Sequence, residues 1–172
     1  MRESILARVV GAAIIVAAIC APALTAGAAR AQGAQVALDT LHQDTGLPVE
    51  IEADRLAVDN ADGSALFSGD VRVRQGEMRL AAAEVRVEYD REGKAITRLH
   101  ATGGVTLATP AEAAEAGAAD YTVVSGVIVL TGDVVLTQNG RTLSGARLTI
   151  DLAAGTGVME GRVTTTFVPA AE

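Results

Sequence analysis

Phe67-Ser68-Gly69-Asp70-Val71-Arg72-Val73-Arg74-Gln75 and Leu130-Thr131-Gly132-Asp133-Val134-Val135-Leu136-Thr137-Gln138 align without a gap, at an offset of 63 residues. In each copy a Gly-Asp step opens a run in which every second residue is apolar. That period puts alternate side chains on opposite faces of a strand. The offset continues through Leu80/Leu143, Val85/Leu148, Val87/Ile150 and Glu88/Asp151. A finer repeat lies beneath it. Gly followed by an alternating strand recurs at Gly69, Gly103-Gly104, Gly132 and Gly161, with spacings of 34, 29 and 29. A second element, a small residue followed by x-x-apolar-x-apolar-acid, recurs at residues 53–59, 82–88 and 145–151. One such unit cannot bury its apolar face alone, whereas stacked units share a continuous interior.

Working outward, Val49 and Ile51 alternate with Glu50 and Glu52, and Val85, Val87 and Tyr89 with Glu84, Arg86 and Glu88. Turn signals separate the runs: Asn60 to Gly63, Gln75-Gly76, Arg91 to Gly93, Gly103-Gly104, Asn139-Gly140 and Gly155 to Gly157. No long 3.6-residue period occurs from residue 32 onward. Residues 111–119, rich in Ala and Glu, read as a solvated loop or short helix. Residues 32–47 read as a flexible N-terminal segment with one helical turn at most. The pattern predicts an all-β protein in which two sheets turn their apolar faces toward each other, because the alternate faces carry Arg, Glu and Asp. The β-domain is expected over residues 48–169, with a short tail at 170–172.

The chain has 172 residues, enough for one domain with a substantial core. Its net charge of −7 argues against nucleic acid as a partner, since phosphate binding needs clustered Lys and Arg. Residues 1–31 read as a cleavable signal peptide: Arg2 and Arg8, an apolar run over residues 9–23, then Ala29-Arg30-Ala31. Cleavage is expected before Gln32, with Ala26-Gly27-Ala28 a second candidate, and an uncleaved anchor the competing reading. The run of about 15 residues is short of the roughly 20 that span a bilayer. Ile19 before Cys20 argues against lipidation. Cleavage would remove Arg2, Arg8, Arg30 and Glu3, leaving 11 basic and 20 acidic residues, a charge of −9, and no cysteine.

At these residues the chain resembles the OstA-like family, most closely its LptA-type periplasmic lipopolysaccharide-transport members. Residues 48–54, Pro48 to Asp54, resemble the family's opening strand and its acidic x-A-D step. Ala65 to Val71 with Gln75-Gly76 resembles the signature F-x-G-N-V…Q-G, and Val129 to Val134 with Gln138 resembles a second copy. Arg162 to Pro169 resembles the C-terminal strand. Asp70 and Asp133 stand where the family often has Asn. The resemblance implies an open β-jellyroll of stacked antiparallel strands in two facing sheets, with acyl chains held between them. It implies a periplasmic protein that bridges inner and outer membranes for outer-membrane assembly. The implied partners are lipopolysaccharide (through the acyl chains of lipid A), LptC-type and LptD-type jellyrolls, and further copies stacked head to tail. An inner-membrane-anchored LptC-type component and a structural β-solenoid surface protein are the alternatives.

Carrying an acylated lipid through water needs a shielded apolar trough, and burying acyl carbon is worth about 0.8 kcal/mol per methylene. The expected lining is the apolar alternates. These are Ile51, Leu56, Val58, Phe67, Val71, Val73, Leu80 and Val85 in the first half of the domain. Val87, Val105, Leu107, Leu130, Val134, Leu136, Leu148 and Ile150 follow. The plainer reading is that each simply fills a core. Residues 163–168 are expected to serve as an uncharged donor edge for strand addition and residues 49–52 as an acceptor; the plainer reading is that Arg162 and Pro169 cap that strand as protection. Arg72, Arg74, Arg79 and Arg86 could contact lipid phosphates, or could form a solvated face with Glu77, Glu84 and Glu88. No enzyme is expected. His42 and His100 are the only histidines, no Ser has a His-containing partner motif, and the carboxylates alternate along strands. No cofactor, metal site or catalytic residue is implied.

Overall fold

A computed structural model describes residues 33–38, 44–59 and 61–167. The signal-peptide reading, His42 and the C-terminal tail fall outside the described residues. These form eleven strands and no helix: β1 Ala34–Ala37, β2 Glu50–Glu52, β3 Arg55–Asp59, β4 Ser64–Gln75, β5 Met78–Tyr89, β6 Ile96–Ala108, β7 Glu112–Thr122, β8 Val127–Gln138, β9 Arg141–Asp151, β10 Thr156–Glu160 and β11 Thr164–Phe167. All pairing is antiparallel, in the order β1-β10-β9-β8-β7-β6-β5-β4-β2, with β3 also on β4 and β11 also on β9.

The two facing sheets are two leaves of this single hydrogen-bonded sheet, folded along one line. Register breaks fall mid-strand between Ser68 and Val71, Ala81 and Glu84, Thr102 and Val105, Glu115 and Ala118, and Thr131 and Val134. Bulges of this kind bend a strand and raise its twist. Leaf I holds β3, residues 64–68, 84–89, 96–102, 118–122, 127–131 and 147–151 of β4 to β9, then β10 and β1. Leaf II holds β2, residues 71–75, 78–82, 105–108, 112–116, 134–138 and 141–145 of the same strands, then β11. The pairs β2–β3 and β10–β11 are likewise two halves of one bent strand. The bend on every second strand is a residue pair at positive φ: Gly69-Asp70, Gly103-Gly104, Gly132-Asp133 and Gly161-Arg162. The strand between carries small residues. A Cβ on Gly103 would lie 2.6 Å from Cβ of Ala83, and one on Gly132 would lie 3.3 Å from Cα of Gly117. Asp70 and Asp133, at φ 43° and 48°, occupy the left-handed region that Asn and Asp tolerate better than other side chains. This accounts for the interchange with Asn at the motif.

Three expectations are corrected. Residues 111–119 are neither loop nor helix but most of β7, paired on both sides by β6 and β8. Alanine has no strong strand preference, and two long neighbours override the local helix propensity. Gly103-Gly104 is not a turn; it is the mid-strand bend of β6. Residues 34–37, within the expected flexible segment, form β1 on the outer edge of β10.

Gly103→Val meets both the positive φ of 84° and the 2.6 Å approach to Ala83. It is expected to cost about 3 kcal/mol, read as a lowered urea midpoint by circular dichroism. Gly93→Ala, at φ 69° with nothing within 4 Å of its Cβ, should cost only about 1 kcal/mol.

Candidate functional site: the interior between the leaves

Directly paired residues in an antiparallel sheet share a face, so the register maps the interior. On leaf I the inward rows run Leu56–Phe67–Val85–Ala101–Ala119–Leu130–Leu148–Met159 and Val58–Ala65–Val87–Leu99–Tyr121–Ile128–Ile150–Gly157. On leaf II one row runs Ile51–Val73–Leu80–Leu107–Ala114–Leu136–Leu143. Val71, Val105 and Val134 face inward beside the fold line. All sixteen residues expected to line the interior therefore lie on inward faces.

Their exposure divides them. Val71, Val85, Val87, Leu130, Val134, Leu136, Leu148 and Ile150 have no exposed surface, and Val73, Leu80, Val105 and Leu107 are also buried. Ile51 and Phe67 are half-buried against this core. Leu56 and Val58, on the edge strand β3, are 54% and 63% exposed. The middle of the interior is thus leaf packed on leaf, and its apolar face comes to the surface at the ends. A pocket of about 560 Å³ beside β3 is lined by Leu56, Val58, Ala65 and Tyr89 among others. At the far end a pocket of about 490 Å³ lies between β1 and the last strands of leaf II, lined by Val36, Leu143, Arg141 and Phe167 among others. The Arg141 guanidinium lies 5.5 Å from the centre of the Phe167 ring.

Opposite the fold line the leaves meet along a seam closed by polar side chains. Gln75 and Gln138, equivalent in the 63-residue repeat, are both buried there. Tyr121 of leaf I donates its hydroxyl to Oε1 of Gln75 of leaf II at 2.8 Å, and Gln75 Nε2 donates to the carbonyls of Thr45 and Leu47, each at 3.0 Å. Gln138 Nε2 donates to the carbonyl of Ala37 at 2.8 Å and to Oε1 of Glu112 at 3.0 Å. Glu112 is itself buried. Glu112 and the Tyr121 contact escaped the sequence reading because β7 did. The period-2 signal in β7 is carried by alanines and changes phase at Gly117, so only Tyr121 marked an inward face.

Three of the four arginines come together, Arg74 directly opposite Arg79, but on an outer face and not at a mouth of the interior. Arg72, Arg74 and Arg79 stand on the outer face of leaf II and Arg86 on that of leaf I. Their acidic partners are Asp70 (2.6 Å from Arg72), Glu52 (3.5 Å from Arg74) and Asp62 (3.7 Å from Arg86), not Glu77, Glu84 or Glu88. These exposed pairs contribute little to stability. Glu50 and Glu52 share the outer face of β2. His100 lies within β6, with Nδ1 2.8 Å from Oδ1 of Asp120 on the outer face of leaf I. Among the described residues no group of three His, Cys, Asp or Glu is placed to hold a metal, and no helix is long and apolar enough to cross a membrane.

A sheet folded along a line of bulges, apolar within and open at both ends, defines an open β-jellyroll. The family model for "LptA/(LptD N-terminal domain) LPS transport protein" matches residues 50–156, and the chain belongs to that family. An uncharacterized protein of Rhizobium meliloti (strain 1021) is 29% identical over 154 residues, 85% of this chain and 82% of that protein. The LPS-assembly protein LptD of Actinobacillus pleuropneumoniae serotype 5b (strain L20) is 46% identical over 61 residues, 36% of this chain but 7% of that protein. Among solved structures, LptH of Pseudomonas aeruginosa, described as the LptA homologous periplasmic component of the conserved lipopolysaccharide transport device, has the same fold. Its TM-score is 0.65 at 21% identity, covering 73% of this chain and 99% of that one.

Burial raises the Tyr121 phenol above its ordinary pKa of 10.0. Above that pH the unfolded chain gives up this proton while the folded chain keeps it, so folded stability falls as pH rises. Urea midpoints of the wild type are expected to drop more between about pH 9 and about pH 11 than those of Tyr121→Phe.

Proposed function

We propose that this chain is a periplasmic carrier that binds lipopolysaccharide through its acyl chains and passes it between the inner and outer membranes, with no catalysis of its own. Membership of an LPS-transport family supports this reading. The observation that carries it is the apolar inward face that runs unbroken from β3 to β10 on leaf I and from β2 to β9 on leaf II, and surfaces at both ends. Such a face binds by excluding water and imposes no directional chemistry, so a lipid can slide along it. Acyl chains enter by parting the leaves. Leaf–chain contacts then replace leaf–leaf contacts, and each methylene taken from water contributes about 0.8 kcal/mol. The fold line is a backbone hinge; on the opposite side a few hydrogen bonds hold the seam.

End-to-end assembly is part of the proposal. β2 and β3 form one end of the stack, and β11 the leaf II edge at the other. All four residues of β11 are exposed. A second copy, or the jellyroll of an LptC-type or LptD-type partner, would extend the trough by pairing with these edges.

Photo-crosslinking in cells tests the carrier role. Benzoylphenylalanine at Phe67 or Leu143, both inward and half-buried, is expected to capture lipopolysaccharide. The same probe at Arg72, on the outer face, is expected to capture little. Equal capture at all three positions would remove the basis for the reading.

A further inference from the structure

Among the described strands, β1 alone is out of chain order. Every other described strand neighbours strands next to it in sequence, or one half of a bent strand beyond that. β1 instead crosses to the far end of the stack and pairs with β10, with Ala34 opposite Met159, Gln35 opposite Val158, Val36 opposite Gly157 and Ala37 opposite Thr156. Leaf I therefore ends on β1, while leaf II ends on β11.

Among the described residues, β1 makes the two leaves unequal. Without it, each leaf consists of one half of each of eight bent strands: β3 to β10 on leaf I, and β2, β4 to β9 and β11 on leaf II. With it, leaf I is longer by one strand, about 4.8 Å. A second copy arriving with β3 on leaf I and β2 on leaf II cannot then meet both edges flush. Strand direction gives the same result. β3 runs antiparallel to β4 and β1 antiparallel to β10, and strands alternate in direction across the leaf, so β3 and β1 point the same way. An incoming β3 would lie parallel to a resident β1 but antiparallel to β10 once β1 has left. On leaf II an incoming β2 is antiparallel to β11 as it stands.

Side chains also match. β1 turns Ala34 and Val36 inward, two residues apart; β3 turns Leu56 and Val58 inward at the same spacing and in the same direction. In place of β1, an incoming Leu56 would face Met159 and an incoming Val58 would face Gly157. Both are exposed on the free chain, and both are larger than, or as large as, the residues they replace.

We propose that β1 is a resident placeholder on the edge of β10, occupying the position that β3 of a second copy takes in an end-to-end assembly, so that stacking proceeds by displacing β1. This rests on the end-to-end reading given above and adds its control. The docked fraction of β1 lowers the apparent affinity between copies, because only the undocked form is competent. It also shields the edge of β10 from unintended pairing.

A reversible lock tests the proposal. Gln35→Cys and Val158→Cys, directly paired residues, are combined in full-length protein carrying Cys20→Ser, since Cys20 is the chain's only cysteine. Sedimentation equilibrium then compares the oxidised form, the reduced form and a variant lacking residues 33–38. The deletion variant is expected to self-associate about ten-fold more tightly than the reduced form. The oxidised form should associate more weakly than either, and Leu56→Asp in the deletion variant should abolish the gain. Oxidised and reduced forms that associate equally would overturn the placeholder role and leave end-to-end stacking standing. No association in any form, the deletion variant included, would overturn both.

Discussion

Along the fold line, the backbones of neighbouring strands come so close that a Cβ on Gly69, Gly103 or Gly161 would lie about 2.5–2.6 Å from a side-chain atom of Asp54, Ala83 or Ala146. Positive φ at these glycines, and at the residue after each, turns the chain there without breaking the ladder on either side. Four such bends, alternating with strands that carry small residues at the same level, crease one antiparallel sheet into two leaves. Everything else follows from the crease. It brings the apolar alternates of residues 64–68 and of 71–75 face to face, although they belong to one strand. It also places the ends of β4, β7 and β8 along a single seam, where Gln75, Tyr121, Gln138 and Glu112 find their partners. A sheet without these bends would leave one whole face of Val, Leu and Ile in water.

The repeat made most of this legible in the sequence. The Gly-Asp-Val step at Gly69 and Gly132, and the small residues at Ala53, Ala82 and Gly145, mark the crease on alternate strands. Inward residues were readable wherever β-branched or Leu residues alternate with charge, as at Val71/Val73 and Leu148/Ile150. Legibility failed where small side chains carry the pattern. In β7 the inward positions are Ala114, Ala116 and Ala119, with Gly117 at the crease; alanine does not declare a face, and Glu112 and Glu115 beside them suggested a solvated loop or short helix. β1 was hidden for a different reason. Four residues hold too short an alternation to stand out, and their partner lies more than a hundred residues away. The seam was legible only as conserved spacing within the repeat: Gln75 and Gln138 were visible as a matching pair, but not as side chains buried in hydrogen bonds. The arginines are solvated, one of the two readings the sequence offered, but their acidic partners were not legible without the crease, which puts Arg86 on the opposite leaf from Arg72, Arg74 and Arg79.

For a lipid carrier the two sides of this structure differ in stiffness. The crease is covalent and crowded, whereas the seam opposite it is held by side-chain hydrogen bonds, each contributing about 1 kcal/mol net. Buried apolar contact between the leaves is non-directional, and in the proposed carrier it would be replaced, not lost, by acyl chains sliding between them. A closed, fully packed centre in the free chain is consistent with a carrier whose trough forms as it fills. The ends, where Leu56 and Val58 or Leu143 and Phe167 line open pockets, are where filling would begin.

The hinge itself can be measured. Spin labels at Ala113 and Thr122 lie on the outer faces of leaf II and leaf I near the two tips of β7, on opposite sides of the seam. Pulsed electron–electron distance measurements with and without purified lipopolysaccharide would report the separation of the leaves. Opening about the crease predicts a distribution lengthened by about 5 Å, roughly half the spacing of packed sheets, with lipid A but not with the deacylated sugar. An unchanged distribution at saturating lipid would contradict it.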